Sequence, residues 1–246
     1  MGSIIEVFPG TPGRRAARLA QAWRAVPVNC NARVRHARLE DYAAIRALQR
    51  EISPVLPGST LRQLESQRQA FAEGQMVAMS AGRIVGAVSS LIVPWNDHGE
   101  DPTWRKVTGE GSFTTHDAAA HTLFCSEMLA TGVSVARTLY RAQRRLARRL
   151  NLRRIVTAAR LPRYRDVRDE MSPELHVQRV IWGSAADAAL QLNLSEGFQY
   201  CRVIRDYLPE DLDSGGHAAL LVWLNPAYSP TQPPANLEAL RPRKCA

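Results

Sequence analysis

From residue 32 onward the chain alternates between two hydrophobic periods. Residues 32–41, ARVRHARLED, alternate apolar and polar positions and predict a first strand. Asp41 opens DYAAIRALQREI, in which Tyr42, Ile45, Leu48 and Ile52 recur at helical spacing; Pro54 and Pro57 end that helix. Ser59 stands as the cap of a second helix, TLRQLESQRQAF, closed by Gly74. Two β-rich runs, QMVAMSA and IVGAVSSLIV, flank a Gly-Arg turn at 82–83 and predict a hairpin. Residues 94–120 are polar and Gly-rich and read as a loop. TLFCSEML predicts the next strand, residues 136–150 a long helix, and RIVTAA a further strand. After a second excursion, Ser172 as N-cap and Pro173 at the first helical position start a helix. Ser184 starts another, AADAALQLNLSE, which Gly197 terminates. Strands at 198–206 and 217–225 precede a Pro-rich end.

The order is β-α-α-β-β-β-α-β-α-α-β-β with no internal repeat, which predicts one mixed α/β domain. It covers residues 32–226, between an N-terminal extension, 1–31, and a Pro-rich tail, 227–246. Within the extension, Arg14–Val26 predicts a short basic helix.

Composition narrows the class. Of 246 residues, 45 % are hydrophobic and 22 % charged, as in ordinary globular proteins. No run approaches the roughly 18 apolar residues of a membrane span, so no membrane partner is expected. The first residues lack the order of a signal peptide, and the expected location is cytoplasmic. Cys30, Cys125, Cys201 and Cys245 are widely spaced, so neither a zinc site nor a redox pair is expected, and no metal.

Charge is unevenly spread. Residues 137–168 hold twelve arginines and one acid, Asp166, while the whole chain carries only +9. Such a block points to an anionic partner, either cofactor phosphates or a nucleic-acid backbone. At its head, the strand, turn and helix of LATGVSVARTLY, residues 129–140, form the arrangement that often builds a phosphate site.

The element order, with that turn at its centre, resembles the GNAT (Gcn5-related N-acetyltransferase) superfamily. RLEDYAAIRALQ resembles the family's first strand-to-helix entry, GRIVGAVSSLIV its central hairpin, and LSEGFQ the end of its fourth helix. Longer stretches between Trp104 and Pro226 are similar to the GNAT domain found fused to carbon–nitrogen hydrolases (nitrilase-like) in bacteria. They are TWRKVTGEGSFTTHD, ARRLNLRRIVTAARLPRY, DEMSPELHVQRVI and SEGFQYCRVIRDYLPEDLDSGGHAALLVWLNP.

The resemblance implies a mixed, mostly antiparallel central sheet flanked by helices, with acetyl-CoA or another acyl-CoA as donor. It places the donor on Met128, Leu129, Thr131, Gly132, Val133, Ser134, Val135, Ala136 and Arg137. The family's usual loop is Arg/Gln-x-x-Gly-x-Gly/Ala. Here Thr131 replaces the basic or amide residue, Ser134 replaces the central Gly, and Ala136 fits. Direct transfer to an amine requires a base, and the resemblance makes Glu127 in FCSEML the candidate. His116, in a segment shared with the hydrolase-fused group, is a second candidate. Asn193 stands where the family usually keeps a tyrosine acid; it cannot supply a proton but can hydrogen-bond sulfur. Tyr164, Tyr200 and Tyr207 are unranked substitutes for that acid.

Three readings follow. The first is an N-acyltransferase moving an acyl group from CoA to a small-molecule amine, in a bacterial biosynthetic pathway, with a homodimer admissible. The second takes the acyl group from aminoacyl-tRNA held by the Arg137–Arg168 block, as in some natural-product enzymes. The third is a non-catalytic CoA- or partner-binding module.

Overall fold

A computed structural model of the protein describes residues 32–98 and 102–234. The expected extension 1–31, with its basic helix, lies outside the described residues, as does the tail from 235. Seven strands form one sheet: β1 (Arg33–His36), β2 (Gln75–Ser80), β3 (Arg83–Val93), β4 (Thr122–Ala130), β5 (Arg154–Arg160), β6 (Gln199–Ile204) and β7 (Ala218–Leu224). Their order is β1-β2-β3-β4-β5-β7-β6, and every pair is antiparallel except β4 with β5.

Helices α1 (Tyr42–Ile52) and α2 (Leu61–Phe71) pack on one face of the sheet. There Leu48 meets Val77, Ala87 and Leu129. The opposite face carries α4 (Val133–Arg149), α5 (Pro173–Ile181) and α6 (Ala188–Ser195). Its core joins Leu139 and Leu146 of α4 to Leu123, Ile155 and Leu221 of the sheet, and to Val177 and Leu190 of the later helices. A five-residue helix, α3 (Trp104–Thr108), lies inside the stretch that reads as a loop. It is too short to show periodicity, and its signals are local: Thr103 Oγ1 accepts the Lys106 N–H, and Gly109 ends it at φ +57°.

Two other boundaries shift for local reasons. The second helix is capped by Thr60, not Ser59, because Thr60 and Gln63 form a reciprocal capping box. AADAALQLNLSE begins its helix after Asp187, because the Ser184 and Ala185 amides are already bonded to the Arg179 carbonyl that ends α5.

Candidate active site

β4 and β5 pair only from Thr122 with Arg154 to Cys125 with Thr157. Beyond that vertex they splay. The β4 edge from Ser126 to Ala130 and the β5 edge from Ala158 to Arg160 then face each other with no strand between them. The gap opens into a cleft of about 1500 Å³ that reaches both faces of the sheet.

A bulge sets which side chains each half receives. Ser89 pairs with Glu127 and Ser90 with Cys125, so Ser126 is the extra residue on β4. Its hydroxyl donates to the Ser89 carbonyl at 3.1 Å. Without the bulge, Cys125 and Glu127 would share a face, since strand side chains alternate with a period of two. With it, Cys125 joins the core beneath α4, while Glu127 joins Ser89 on the α1–α2 side.

The Glu127 carboxyl borders both the cleft and a side pocket of about 30 Å³ lined by Arg46, Gln49, Gln67, Gln75 and Ser89. Burial pushes its pKa up, and the positive charge of Arg46 opposes that shift in part. The glutamines around it are held in place: Gln75 donates to the Phe71 and Ser90 carbonyls, Gln67 to Gly111, and Gln49 to Ser53 and Leu56.

On the α4 side, Asn193 and Tyr140 meet. The Tyr140 hydroxyl donates to Asn193 Oδ1 at 2.7 Å, and Asn193 Nδ2 donates to the Ala189 carbonyl at 2.8 Å. Both side chains line the cleft and both are buried. Burial raises the Tyr140 pKa, which keeps the phenol protonated. Sequence reasoning passed over Tyr140. The available signal was its position four residues after Ala136, on the inward stripe of α4.

The turn between β4 and α4 is short, leaving only Thr131 and Gly132 between strand and helix. Gly132 is the N-cap and helix begins at Val133, so Val133, Ser134, Val135 and Ala136 form the first turn of α4. The intrahelical ladder starts with the Ala136 N–H on the Gly132 carbonyl at 3.1 Å. Thr131 is turned away: its amide and hydroxyl both donate to the Val85 carbonyl, at 3.0 and 3.1 Å. Val85 is itself the extra residue of a bulge between β2 and β3.

Of the residues assigned to the donor, Met128, Leu129, Val133 and Ala136 line the cleft. Val135 is buried in the core, Ser134 is exposed, and Arg137 pairs with Glu196 at 2.7 Å. His116 is not among the cleft-lining residues. It stacks on Phe71 with ring centroids 4.8 Å apart, and its Nδ1 accepts the Ile92 N–H at 3.1 Å. Burial lowers its pKa and favours the neutral ring. Of the three unranked tyrosines, only Tyr207 lines the cleft; Tyr164 gives its hydroxyl to the Met171 carbonyl.

Part of the arginine block is paired with carboxylates. Arg160 pairs with Asp211 at 2.6 Å, Arg163 with Asp166 at 3.1 Å and Arg165 with Asp213 at 2.9 Å. Arg141, Arg145, Arg148 and Arg149 lie on the exposed face of α4. Among the described residues, no group of three or more His, Cys, Asp or Glu is placed to hold a metal ion, and no helix is long and apolar enough to cross a membrane.

A seven-stranded sheet that splays between a bulged β4 and a parallel β5, with a helix starting at the end of β4, is the GNAT fold, and the chain has it. Solved structures agree. The GphF GNAT-like decarboxylase, in complex with isobutyryl-CoA, matches with a TM-score of 0.65 at 22 % identity, over 78 % of this chain and 98 % of that one. The loading GNATL domain of CurA from Lyngbya majuscula matches with a TM-score of 0.64 at 15 % identity, over 78 % and 97 %. In sequence, the probable hydrolase YhcX of Bacillus subtilis (strain 168) is 30 % identical over 203 residues, which are 81 % of this chain and only 40 % of that protein. The uncharacterized N-acetyltransferase YkwB of the same organism is 29 % identical over 170 residues, 68 % of this chain and 75 % of that protein. No protein-family model matches the chain.

Proposed function

We propose that the protein is an acyl-CoA-dependent N-acyltransferase acting on the amine of a small molecule. The observation that carries this reading is the splayed β4 edge. From Ser126 to Ala130 its backbone groups face the cleft with no strand partner, and an amide-bearing pantetheine arm can add there as a pseudo-strand. The cradle ends at the first turn of α4, whose N-terminus favours the pyrophosphate. The neighbour GphF was solved with isobutyryl-CoA, which agrees with a thioester in a cleft of this kind.

The two faces divide the reaction. The donor lies on the α4 side, and its thioester reaches the vertex near Cys125 and Thr157. The acceptor enters from the α1–α2 side, where Glu127 waits. An amine is mostly protonated near neutral pH, so Glu127 takes the proton that must leave before nitrogen attacks the thioester carbon. The C–S bond then breaks, the surplus proton left on the attacking nitrogen passes to solvent, and CoA leaves as a thiolate. Asn193 Nδ2 carries a second hydrogen beyond the one given to Ala189, and that hydrogen can be donated to the departing sulfur. Tyr140 holds the amide in this orientation.

The test is titration calorimetry with acetyl-CoA, followed by thiol release over a panel of amines, with exposed Cys201 subtracted as a blank. Glu127→Gln is expected to lower kcat by roughly 10² to 10⁴ while leaving acetyl-CoA affinity within about twofold. Because the Glu127 pKa is raised, wild-type kcat/KM should climb through an acidic limb displaced above the usual carboxylate range, and the limb should vanish in the variant. Binding without thiol release from any amine would instead favour a binding module. No binding would end the acyl-CoA reading.

A further inference from the structure

The cationic side chains of the cleft fall into two groups. Five arginines line it: Arg105, Arg160, Arg163, Arg165 and Arg179. Four are engaged by carboxylates: Arg105 by Glu110 and Glu210, Arg160 by Asp211, Arg163 by Asp166, and Arg165 by Asp213. Among the described residues, Arg179 has no carboxylate partner. It is exposed, on α5, which packs against α6 and β6 on the α4 side of the sheet. One turn earlier the same wall holds His176, only 3 % exposed. Its Nε2 has no hydrogen-bond partner, and Asp187 Oδ2 stands 3.7 Å from it.

The rest of this wall is built from small side chains. Gly183, Ser184, Ala185, Ala186, Ala188 and Ala189 all line the cleft. No long side chain from this stretch stands between Arg179 and the open volume. The wall thus offers small side chains and an exposed guanidinium.

We propose that Arg179 binds the 3′-phosphate of the donor CoA. This rests on the acyl-CoA reading above. The thioester end of the donor must sit at the vertex of the splay, near Cys125 and Asn193, so the nucleotide end stands at the rim. The 3′-phosphate is a dianion, and a guanidinium recognises it with two parallel N–H···O bonds. The other cleft arginines already spend that fork on carboxylates. The small-residue wall leaves room for the ribose and adenine.

The test compares acetyl-CoA with its 3′-dephospho form by titration calorimetry at low and moderate salt. The wild type should bind acetyl-CoA roughly tenfold more tightly at low salt, a preference that narrows as salt screens the rim. Arg179→Gln should bring the two ligands to equal affinity, leaving dephospho-acetyl-CoA binding unchanged, and Arg179→Lys should restore part of the preference. A wild type that binds both ligands equally overturns the proposal, as does Arg179→Gln that keeps the preference. A wild type that binds neither ligand brings down the acyl-CoA reading itself, so the two failures are distinguishable.

Discussion

Gly86 offers a direct probe of how the sheet positions the N-terminal end of α4. It is buried in β3 at a negative φ, opposite Ala130 of β4. A Cβ added there would stand 2.6 Å from Val135 Cγ1, 3.1 Å from Leu139 Cδ1 and 3.1 Å from the Leu129 carbonyl oxygen. Carbon atoms in contact prefer about 3.5–4.0 Å, so Val135 must retreat by about 1 Å. It cannot rotate away, because a helical valine has essentially one χ1 rotamer, and it is only 1 % exposed. The first turn of α4 must therefore move. Overpacking of this kind costs about 1–3 kcal/mol, and the loss of glycine's freedom in the unfolded chain returns about 0.4–1 kcal/mol. Gly86→Ala should thus destabilise by about 1.5 kcal/mol, a Tm drop of roughly 3–6 °C for a chain of this size. On the proposed reading it should also weaken acetyl-CoA binding, because the displaced turn is the one proposed to hold the pyrophosphate. Val135→Ala removes the clashing methyl. In that background the same Gly86→Ala change should cost clearly less, since only the 3.1 Å contacts with Leu139 and the Leu129 carbonyl remain, and a double-mutant cycle read by thermal melting will detect the difference. A melt within 1 °C of wild type, or an equal loss in both backgrounds, refutes the packing argument.

Two further predictions concern the groups that hold the cleft walls. Asp211 is buried and accepts from Arg160 Nε and Nη2 at 2.6 Å each and from Ser214 Oγ at 2.6 Å. Asp211→Ala leaves the Arg160 guanidinium unpaired and should cost about 3 kcal/mol, the lower end for a broken buried pair because Arg160 is partly exposed. Burial alone would raise the Asp211 pKa, but the Arg160 and Ser214 bonds outweigh it and the net shift is downward. Its stabilisation is therefore fully present above the ordinary carboxylate pKa and is lost as pH falls through the depressed one. Urea midpoints of wild type and variant should converge at acid pH; a constant gap would contradict this. Tyr140→Phe leaves Asn193 Oδ1 without its donor and should cost about 1–2 kcal/mol in stability. Because the Tyr140 proton is committed to Asn193, kcat should fall less than tenfold; a hundredfold fall would make Tyr140 the acid.

The sequence by itself determined the elements and their order, apart from the five-residue α3. Hydrophobic period, turn residues and caps are local, so the hairpin around Gly82, the Ser172–Pro173 helix start and the strands on either side of α4 are legible from neighbouring residues alone. The turn before α4 was readable from strand, turn and helix in succession, whereas Glu127 became a candidate only through resemblance to a family. Tertiary structure decided what those residues face. The bulge at Ser126 turns Glu127 to the opposite side of the sheet from Cys125, and no local pattern announces it, because a bulge exists only in the pairing of two strands. The Tyr140–Asn193 bond joins positions 53 residues apart. The arginine block carries a large local charge in the sequence because all of its acids but Asp166 are remote. Glu196, Asp211 and Asp213 reach it only when β6 and β7 close on β5, and among the described residues the cleft arginine without a carboxylate partner is Arg179.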